Sequence, residues 1–245
     1  MQITENVWQV GGPELTAPED AAAYLVRMGP AAALIDAGCG DATQALIANI
    51  GRVLPPEVPV THLLLTHCHF DHTGGADAVR GHLGCQIVAH RSDAVFLEAG
   101  DSAVTAAAWY GRRMPPLLID LKIDGPTTSI PVGNGALLAY HCPGHSPGSL
   151  VYTADLVGRK ILFGQDIHGP LHPSLRSDRA DYLQSLQFIM DLNADILCEG
   201  HFGIFRGRGG GSRHSRGNDA LHRRLGQQLR KRRRRRRVGE QSVQV

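Results

Sequence analysis

A dense group of metal-ligating residue types constrains this chain more than any other feature. Residues 66–72 read Thr-His-Cys-His-Phe-Asp-His, and they stand at the end of a short apolar run over residues 60–66. A run of this length predicts a buried strand. Imidazole and carboxylate groups suit zinc, iron and manganese, and they can surround metal if the strand ends in a turn there. The pattern therefore predicts a metal site with these candidate ligands: His67, His69, Asp71 and His72.

Strand-like and helix-like patterns recur in both halves of the chain. Strands are predicted at residues 3–10, 22–27, 31–36, 60–66, 86–89, 129–131, 136–142, 149–153, 160–164 and 194–198. Helices are predicted at residues 41–54 with Asp41 as N-cap, at 73–83, over most of 91–113, and at 179–192. Clustered strands followed by helices are typical of two packed sheets with helices outside. We therefore predict an α+β fold, an αββα sandwich of two mixed β-sheets flanked by helices.

Composition argues for a cytoplasmic protein without a membrane segment. The chain is 42% hydrophobic, and no stretch of it approaches the roughly 20 apolar residues that span a bilayer. Residues 1–10 lack the basic start and apolar centre of a signal peptide. The five cysteines are odd in number and include no C-x-x-C pair, which indicates reduced thiols in place of disulfides or a thiolate zinc site.

The net charge of +2 conceals a strong asymmetry between the body and the end of the chain. Residues 206–245 hold 14 of the 25 Lys and Arg residues but only 2 of the 23 acidic ones. We predict a domain over residues 1–205 and a disordered, solvated Gly/Arg-rich tail over residues 206–245. Nucleic-acid binding by the tail is the weaker alternative, because no aromatic residues are interleaved with its charges. A shifted reading frame is a third interpretation of the tail.

Three further motifs place candidate ligands after predicted strands. Residues 142–149 read Cys-Pro-Gly-His-Ser-Pro-Gly-Ser and contain His145. Residues 163–166 read Phe-Gly-Gln-Asp and end at Asp166, and residues 199–201 read Glu-Gly-His and end at His201. Other histidines have no such context and are interpreted as structural or solvated: His62, His82, His90, His141, His214 and His222.

Together with residues 65–75, these motifs make residues 3–205 resemble the metallo-β-lactamase-fold superfamily, and its glyoxalase II-like branch in particular. The resemblance implies two divalent metal ions, zinc first, with iron or manganese as alternatives. It implies one metal on His67, His69 and His145, a second on Asp71, His72 and His201, and Asp166 bridging both. Asp36, in the sequence Leu-Ile-Asp-Ala-Gly, matches an early acidic turn of the superfamily, which implies that it supports the ligands or has a structural role and is not itself a ligand.

The resemblance also implies a reaction. Two ions that share and activate a water would cleave a small thioester, ester or lactone, with Asp71 as the catalytic group that steers a proton. Asp166 argues against a β-lactamase, and the roughly 20 residues between His145 and Asp166 are too few for the inserted cap domain of nucleic-acid-processing members. A mononuclear-iron persulfide dioxygenase stays open as an alternative. No counterpart of the glutathione-binding basic region is recognisable, and the sequence predicts no oligomeric state.

Two segments are candidates for contact with a small-molecule substrate. His168 and His172 follow Asp166 closely, and they either contact the substrate, donate hydrogen bonds to residues around the ligands, or lie in an ordered surface loop. Tyr110, Arg112, Arg113 and Met114 end the predicted helical segment, and they either line a pocket mouth or are solvated. Cys68 lies between two candidate ligands on an extended segment, so its side chain is expected to point away and pack.

Overall fold

Two mixed β-sheets form the centre of the molecule in a computed structural model, which describes residues 1–164 and 166–207. The strands of the first sheet pair in chain order, antiparallel from the first to the fourth and parallel from the fourth to the seventh. They are β1 (Gln2–Thr4), β2 (Val7–Gln9), β3 (Tyr24–Met28), β4 (Ala31–Ile35), β5 (Val60–Leu64), β6 (Gln86–His90) and β7 (Leu121–Ile123).

The second sheet is built from the second half of the described chain. Its strands are β8 (Thr127–Val132), β9 (Gly135–His141), β10 (Leu150–Leu156), β11 (Arg159–Phe163), β12 (Ile196–Cys198) and β13 (Ile204–Arg206). They lie in the order β13-β12-β11-β10-β9-β8, and the β11–β12 pair is parallel while the others are antiparallel.

Helices cover the outer faces of both sheets. Within the described residues they are α1 (Thr43–Val53), α2 (Phe70–Thr73), α3 (Ala76–Leu83), α4 (Arg91–Ala99) and α5 (Arg179–Asp191), with 3₁₀ turns at Ala107–Tyr110 and Pro173–Leu175. None of the described helices is long and apolar enough to cross a membrane.

Three apolar clusters separate the four layers. Leu46 of α1 packs with Leu63 of β5 outside the first sheet, and Leu186 of α5 packs outside the second. Leu64, the neighbour of Leu63, points the other way and packs with Tyr152 between the sheets. β5 is therefore buried on both faces, which explains its unbroken apolar run. These layers confirm the predicted αββα sandwich.

Several predicted boundaries were wrong. Residues 3–10 form two short antiparallel strands, β1 and β2, in place of one. The helix predicted over residues 41–54 begins at Thr43 after an N-cap at Ala42 that makes no side-chain hydrogen bond. Asp41 does not cap it, because its carboxylate pairs with Arg112 Nη2 at 2.6 Å.

Two other predicted helices are shorter in the structure than expected, because each is interrupted at a glycine. The segment over residues 73–83 divides into α2 and α3 at Gly74 and Gly75, whose backbones approach the Asp36-to-Gly40 turn too closely for a side chain. The segment over residues 91–113 is helical only to Ala99, because Gly100 caps α4 in the left-handed region at φ 65°. The predicted basic tail lies outside the described residues apart from Arg206 and Gly207.

Candidate metal centre

The first four candidate ligands follow the carboxyl end of β5, a strand of the first sheet. His67 and His69 lie on the bent segment between β5 and α2, and Asp71 and His72 lie on α2. Two backbone bonds fix this segment: Phe70 N–H donates to Thr105 O at 2.7 Å, and Leu150 N–H donates to Thr66 O at 2.7 Å. The Cys68 side chain points away and is completely buried in the outer core of the first sheet, as expected.

The other three candidate ligands come from the second sheet. His145 lies in the connection between β9 and β10, Asp166 lies just past β11, and His201 lies just past β12. The structure therefore places the candidate ligands along the seam where the two sheets meet. It brings together all seven residues: His67, His69, Asp71, His72, His145, Asp166 and His201.

The first group, His67, His69 and His145, is called the three-histidine cluster here. Its ring centroids are 4.5 to 4.8 Å apart, and one ligand atom from each ring lies within 4.8 Å of the others and of an Asp166 oxygen. The Nε2 atoms of all three rings are buried and have no hydrogen-bond partner. Buried polar atoms are rarely left unsatisfied, so three that converge on one point fit a metal ion.

The second group, Asp71, His72, Asp166 and His201, is called the aspartate cluster here. Asp166 Oδ1 lies 3.1 Å from His72 Nε2 and 3.2 Å from His201 Nε2, and Asp71 Oδ2 lies 3.1 Å from His201 Nε2. One ligand atom from each of the four residues lies within 4.8 Å of the others. Asp166 belongs to both groups, since its Oδ2 lies 3.4 Å from His145 Nε2.

The two groups differ in the charge that they favour. Burial lowers the pKa of His69 to about 3 and that of His67 well below its ordinary value, so these rings are neutral donors. Burial also disfavours charge on His201, but hydrogen bonds to Asp166 and Asp71 raise its pKa to about 10. The aspartate cluster therefore favours positive charge between its carboxylates, while burial favours neutral rings at His67 and His69 of the three-histidine cluster.

Asp36 contacts the candidate ligand His72 at the ring nitrogen that does not face Asp166, which fits a role in supporting the ligands. It is buried with a left-handed φ of 59°, and its Oδ2 accepts a hydrogen bond from His72 Nδ1 at 2.7 Å. Its two oxygens also accept from the backbone N–H and the hydroxyl of Thr66. Such a carboxylate partner fixes which imidazole nitrogen faces the metal.

A comparison with models of protein families identifies the family of this chain. The family model described as the metallo-beta-lactamase superfamily matches residues 17–201, which include all seven candidate ligands. The chain belongs to the metallo-beta-lactamase superfamily.

Relatives of this chain include a thioesterase and a hydroxyacylglutathione hydrolase. An acyl-coenzyme A thioesterase, MBLAC2 of Gallus gallus, is 31% identical over 74% of this chain and 72% of its own length. A hydroxyacylglutathione hydrolase of Anaeromyxobacter dehalogenans is 35% identical over 54% of this chain, but the match spans only 42% of that protein. Among solved structures, the BLEG-1 B3 metallo-beta-lactamase is 27% identical over 82% of this chain and 93% of its own, with a TM-score of 0.68.

A cavity of about 280 Å³ opens onto the ligands in this superfamily member. Its rim carries three partly exposed aromatic side chains, Trp109, Tyr110 and Phe202. The cavity is lined by His69, Asp71, Ala106, Trp109, Tyr110, Asp166, Gly169, Pro170, Leu175, Glu199, His201 and Phe202. Tyr110 was thus correctly considered as a pocket-mouth residue, whereas sequence reasoning missed Trp109 and Phe202.

The other residues that the sequence offered as substrate contacts lie outside the lining of this cavity. Arg112 pairs with Asp41 on the surface, Arg113 is exposed, and Met114 is buried in the outer core of the first sheet. His172 is exposed and packs edge-on against Trp109 at 5.4 Å. None of these four residues lines the cavity.

His168 is held in the shell around the site by Glu199. His168 Nδ1 lies 2.7 Å from Glu199 Oε1, and the fully buried Glu199 accepts backbone N–H bonds from His201 and Phe202 through Oε2. Glu199 therefore shapes the turn that presents His201. The sequence marked Glu199 as part of a motif but gave no indication of this contact.

Proposed function

We propose that this chain is a hydrolase that holds two divalent metal ions and cleaves a small thioester, ester or lactone. Zinc is the metal that we favour over iron or manganese. The observation that carries the proposal is that three buried Nε2 atoms without a hydrogen-bond partner lie close together beside a second cluster that shares Asp166. Neutral imidazoles and carboxylates are the donors that zinc binds in catalytic sites.

Each cluster would hold one ion, and Asp166 would contact both. Two ions held in this way supply Lewis acidity and lower the pKa of a water toward neutrality. Asp71 lines the cavity, and its Oδ2 lies 3.1 Å from His201 Nε2. Its carboxylate is placed to accept the proton of the attacking water and to return it to the leaving group. We therefore assign Asp71 as the catalytic proton carrier.

The cavity favours an uncharged group next to the scissile bond. Its rim is aromatic, and no Lys or Arg is among its lining residues in the described part of the chain. An acyl chain or a lactone ring would bury apolar surface against Trp109 and Phe202, which contributes roughly 25 cal/mol per Å². The similarity to an acyl-coenzyme A thioesterase supports the thioester class.

Metal analysis combined with a substrate panel tests the proposal. We expect two equivalents of zinc per full-length chain, and hydrolysis of a thioester or lactone that is lost with chelator and restored by added zinc. His67→Ala should abolish the activity, whereas His82→Ala is the matched control, because His82 is an exposed histidine of α3 that belongs to neither cluster.

Other outcomes of the panel would overturn the proposal. Full activity in His67→Ala would exclude a metal-dependent reaction at this site. Hydrolysis of a β-lactam alone would replace the assigned substrate class. Oxygen uptake with glutathione persulfide, together with a single bound iron, would indicate the dioxygenase alternative.

A further inference from the structure

A buried carboxylate outside both clusters connects the two segments that carry the three-histidine cluster. Asp93 lies in the first turn of α4 and is 1% exposed. Its Oδ2 accepts hydrogen bonds from Cys68 N–H at 2.9 Å and from Ser146 Oγ at 2.5 Å, and its Oδ1 accepts from Gly148 N–H at 2.6 Å. It is not a member of either candidate ligand group.

The donors to Asp93 are the immediate neighbours of candidate ligands. Cys68 stands between His67 and His69 on the segment after β5, and Ser146 follows His145 on the segment after β9. These segments belong to different sheets. The Asp93 carboxylate therefore bridges the two halves of the three-histidine cluster next to the ligands, in addition to the backbone bond from Leu150 N–H to Thr66 O.

The surroundings of Asp93 hold it firmly in this position. Gly148 lets the segment after β9 approach closely, because a Cβ on Gly148 would lie 2.6 Å from Asp93 N and 2.7 Å from Asp93 Cβ. The rings of His90, which caps α4, and His141, at the end of β9, stack with centroids 3.8 Å apart and planes at 11°. His141 Nε2 also lies 2.9 Å from Pro147 O, on the same segment.

We propose that Asp93 is a positioning residue that selectively sets the metal affinity of the three-histidine cluster by holding its two ligand-bearing segments together. This inference rests on the proposed metal-binding function. The aspartate cluster has other supports, since Asp36 holds His72 and Glu199 holds the turn that carries His201. Loss of Asp93 should therefore affect one cluster and spare the other.

Zinc affinity in two backgrounds tests this selectivity. His201→Ala leaves the three-histidine cluster complete, and His145→Ala leaves the aspartate cluster complete. Adding Asp93→Asn should weaken Zn²⁺ binding by about 10- to 100-fold in the first background, as supporting carboxylates of metal ligands do. In the second background it should change the affinity by less than about threefold. Competition with a chromophoric chelator measures both values on the full chain.

Two further variants distinguish a specific loss of zinc affinity from a general loss of folding. Asp120→Asn is the matched control, because Asp120 Oδ2 accepts a backbone bond from Ile87 N–H at 2.8 Å without touching a ligand segment, and we expect no change in zinc affinity. Ser146→Ala removes one donor to Asp93 and should give a smaller weakening with the same selectivity, even if Asp93→Asn does not fold.

The outcomes separate this inference from the proposed function. Equal weakening in both backgrounds, or no weakening in either, would overturn the positioning role while zinc binding and hydrolysis by the unmodified chain stood. A full-length chain that binds no Zn²⁺ would overturn the metal-binding function, and the positioning role with it.

Discussion

The three-histidine cluster and the aspartate cluster lie side by side and share Asp166, yet they differ in burial and in the charge of their side chains. The rings of the first are at most 3% exposed, and their Nε2 atoms have no hydrogen-bond partner. Burial lowers the pKa of His67 and of His69 well below the ordinary value, which favours neutral rings at these two positions. The second contains two carboxylates, and its His201 side chain is 31% exposed. One cluster would attract an ion by preorganised neutral donors and the other by negative charge, so the two ions should respond differently to mutation and to pH.

The largest expected effect removes the residue that both clusters share. Asp166→Ala should lower kcat/KM by about 10³-fold, because Lewis-acid stabilisation worth several kcal/mol is lost at about 1.4 kcal/mol per factor of ten. Steady-state kinetics and zinc content of the same preparation measure it. A variant that kept two zinc ions and full activity would show that the clusters do not depend on a common ligand.

Acidification should separate the two clusters. The His201 pKa of about 10 means that its imidazole is protonated at neutral pH in the metal-free protein, so an incoming ion must displace that proton. The affinity of the aspartate cluster should fall at least about tenfold per pH unit, or at least about 100-fold from pH 8 to pH 6, because the pKa of His72 is also raised well above its ordinary value by the nearby carboxylates, against the effect of its burial. The lowered pKa values of His69, about 3, and of His67 remove this competition from these two rings of the three-histidine cluster.

Zinc content at constant free zinc measures this pH effect. His145→Ala and His201→Ala, which each disable one cluster, identify which ion is lost as the pH falls. Loss of zinc from the three-histidine cluster first would reverse the assignment of charge to the two clusters.

Asp36→Asn should weaken the aspartate cluster alone and so mirror the effect of Asp93→Asn. The substitution replaces the acceptor 2.7 Å from His72 Nδ1 and should lower the zinc affinity of that cluster by about 10- to 100-fold. Chelator competition in the His145→Ala background measures it. An unchanged affinity there would mean that His72 is oriented by α2 alone.

Substitution at the cavity rim should have the smallest effect and leave both clusters intact. Trp109 is 51% exposed, so Trp109→Ala removes apolar contact with substrate at little cost to the fold. We expect KM to rise by about three- to tenfold with kcat unchanged, since uniform binding is lost. The exposed Leu118, which does not line the cavity, supplies the control Leu118→Ala. A fall in kcat would place Trp109 closer to the reacting atoms.

The sequence was most informative where local pattern and burial agree. β5 is buried on both faces, so its apolar run predicted a strand, and the candidate ligands at its end were predicted from residue types alone. Short edge strands carried no comparable pattern. β7 and β13 have three residues each, and they are defined by the strands beside them.

Long-range contacts account for the remaining errors. The alanine-rich segment after Gly100 predicted a continued helix, but Ala106 adopts a left-handed φ of 59°, and Thr105 O accepts the bond from Phe70 N–H of α2. That contact carries Trp109 to the cavity rim, which no local pattern could indicate. Asp93 resembles an ordinary acidic residue in the first turn of a helix, so its bonds to Cys68 and Gly148 were invisible in the sequence.

The seam position of the candidate ligands also has a thermodynamic consequence. Four of them follow β5 of the first sheet and three belong to the second sheet, so an ion bound between them opposes separation of the sheets. Linkage makes this worth about 4 kcal/mol of unfolding free energy per site when free metal exceeds Kd by about 1,000-fold. A cell short of metal would then hold less folded protein as well as a slower enzyme.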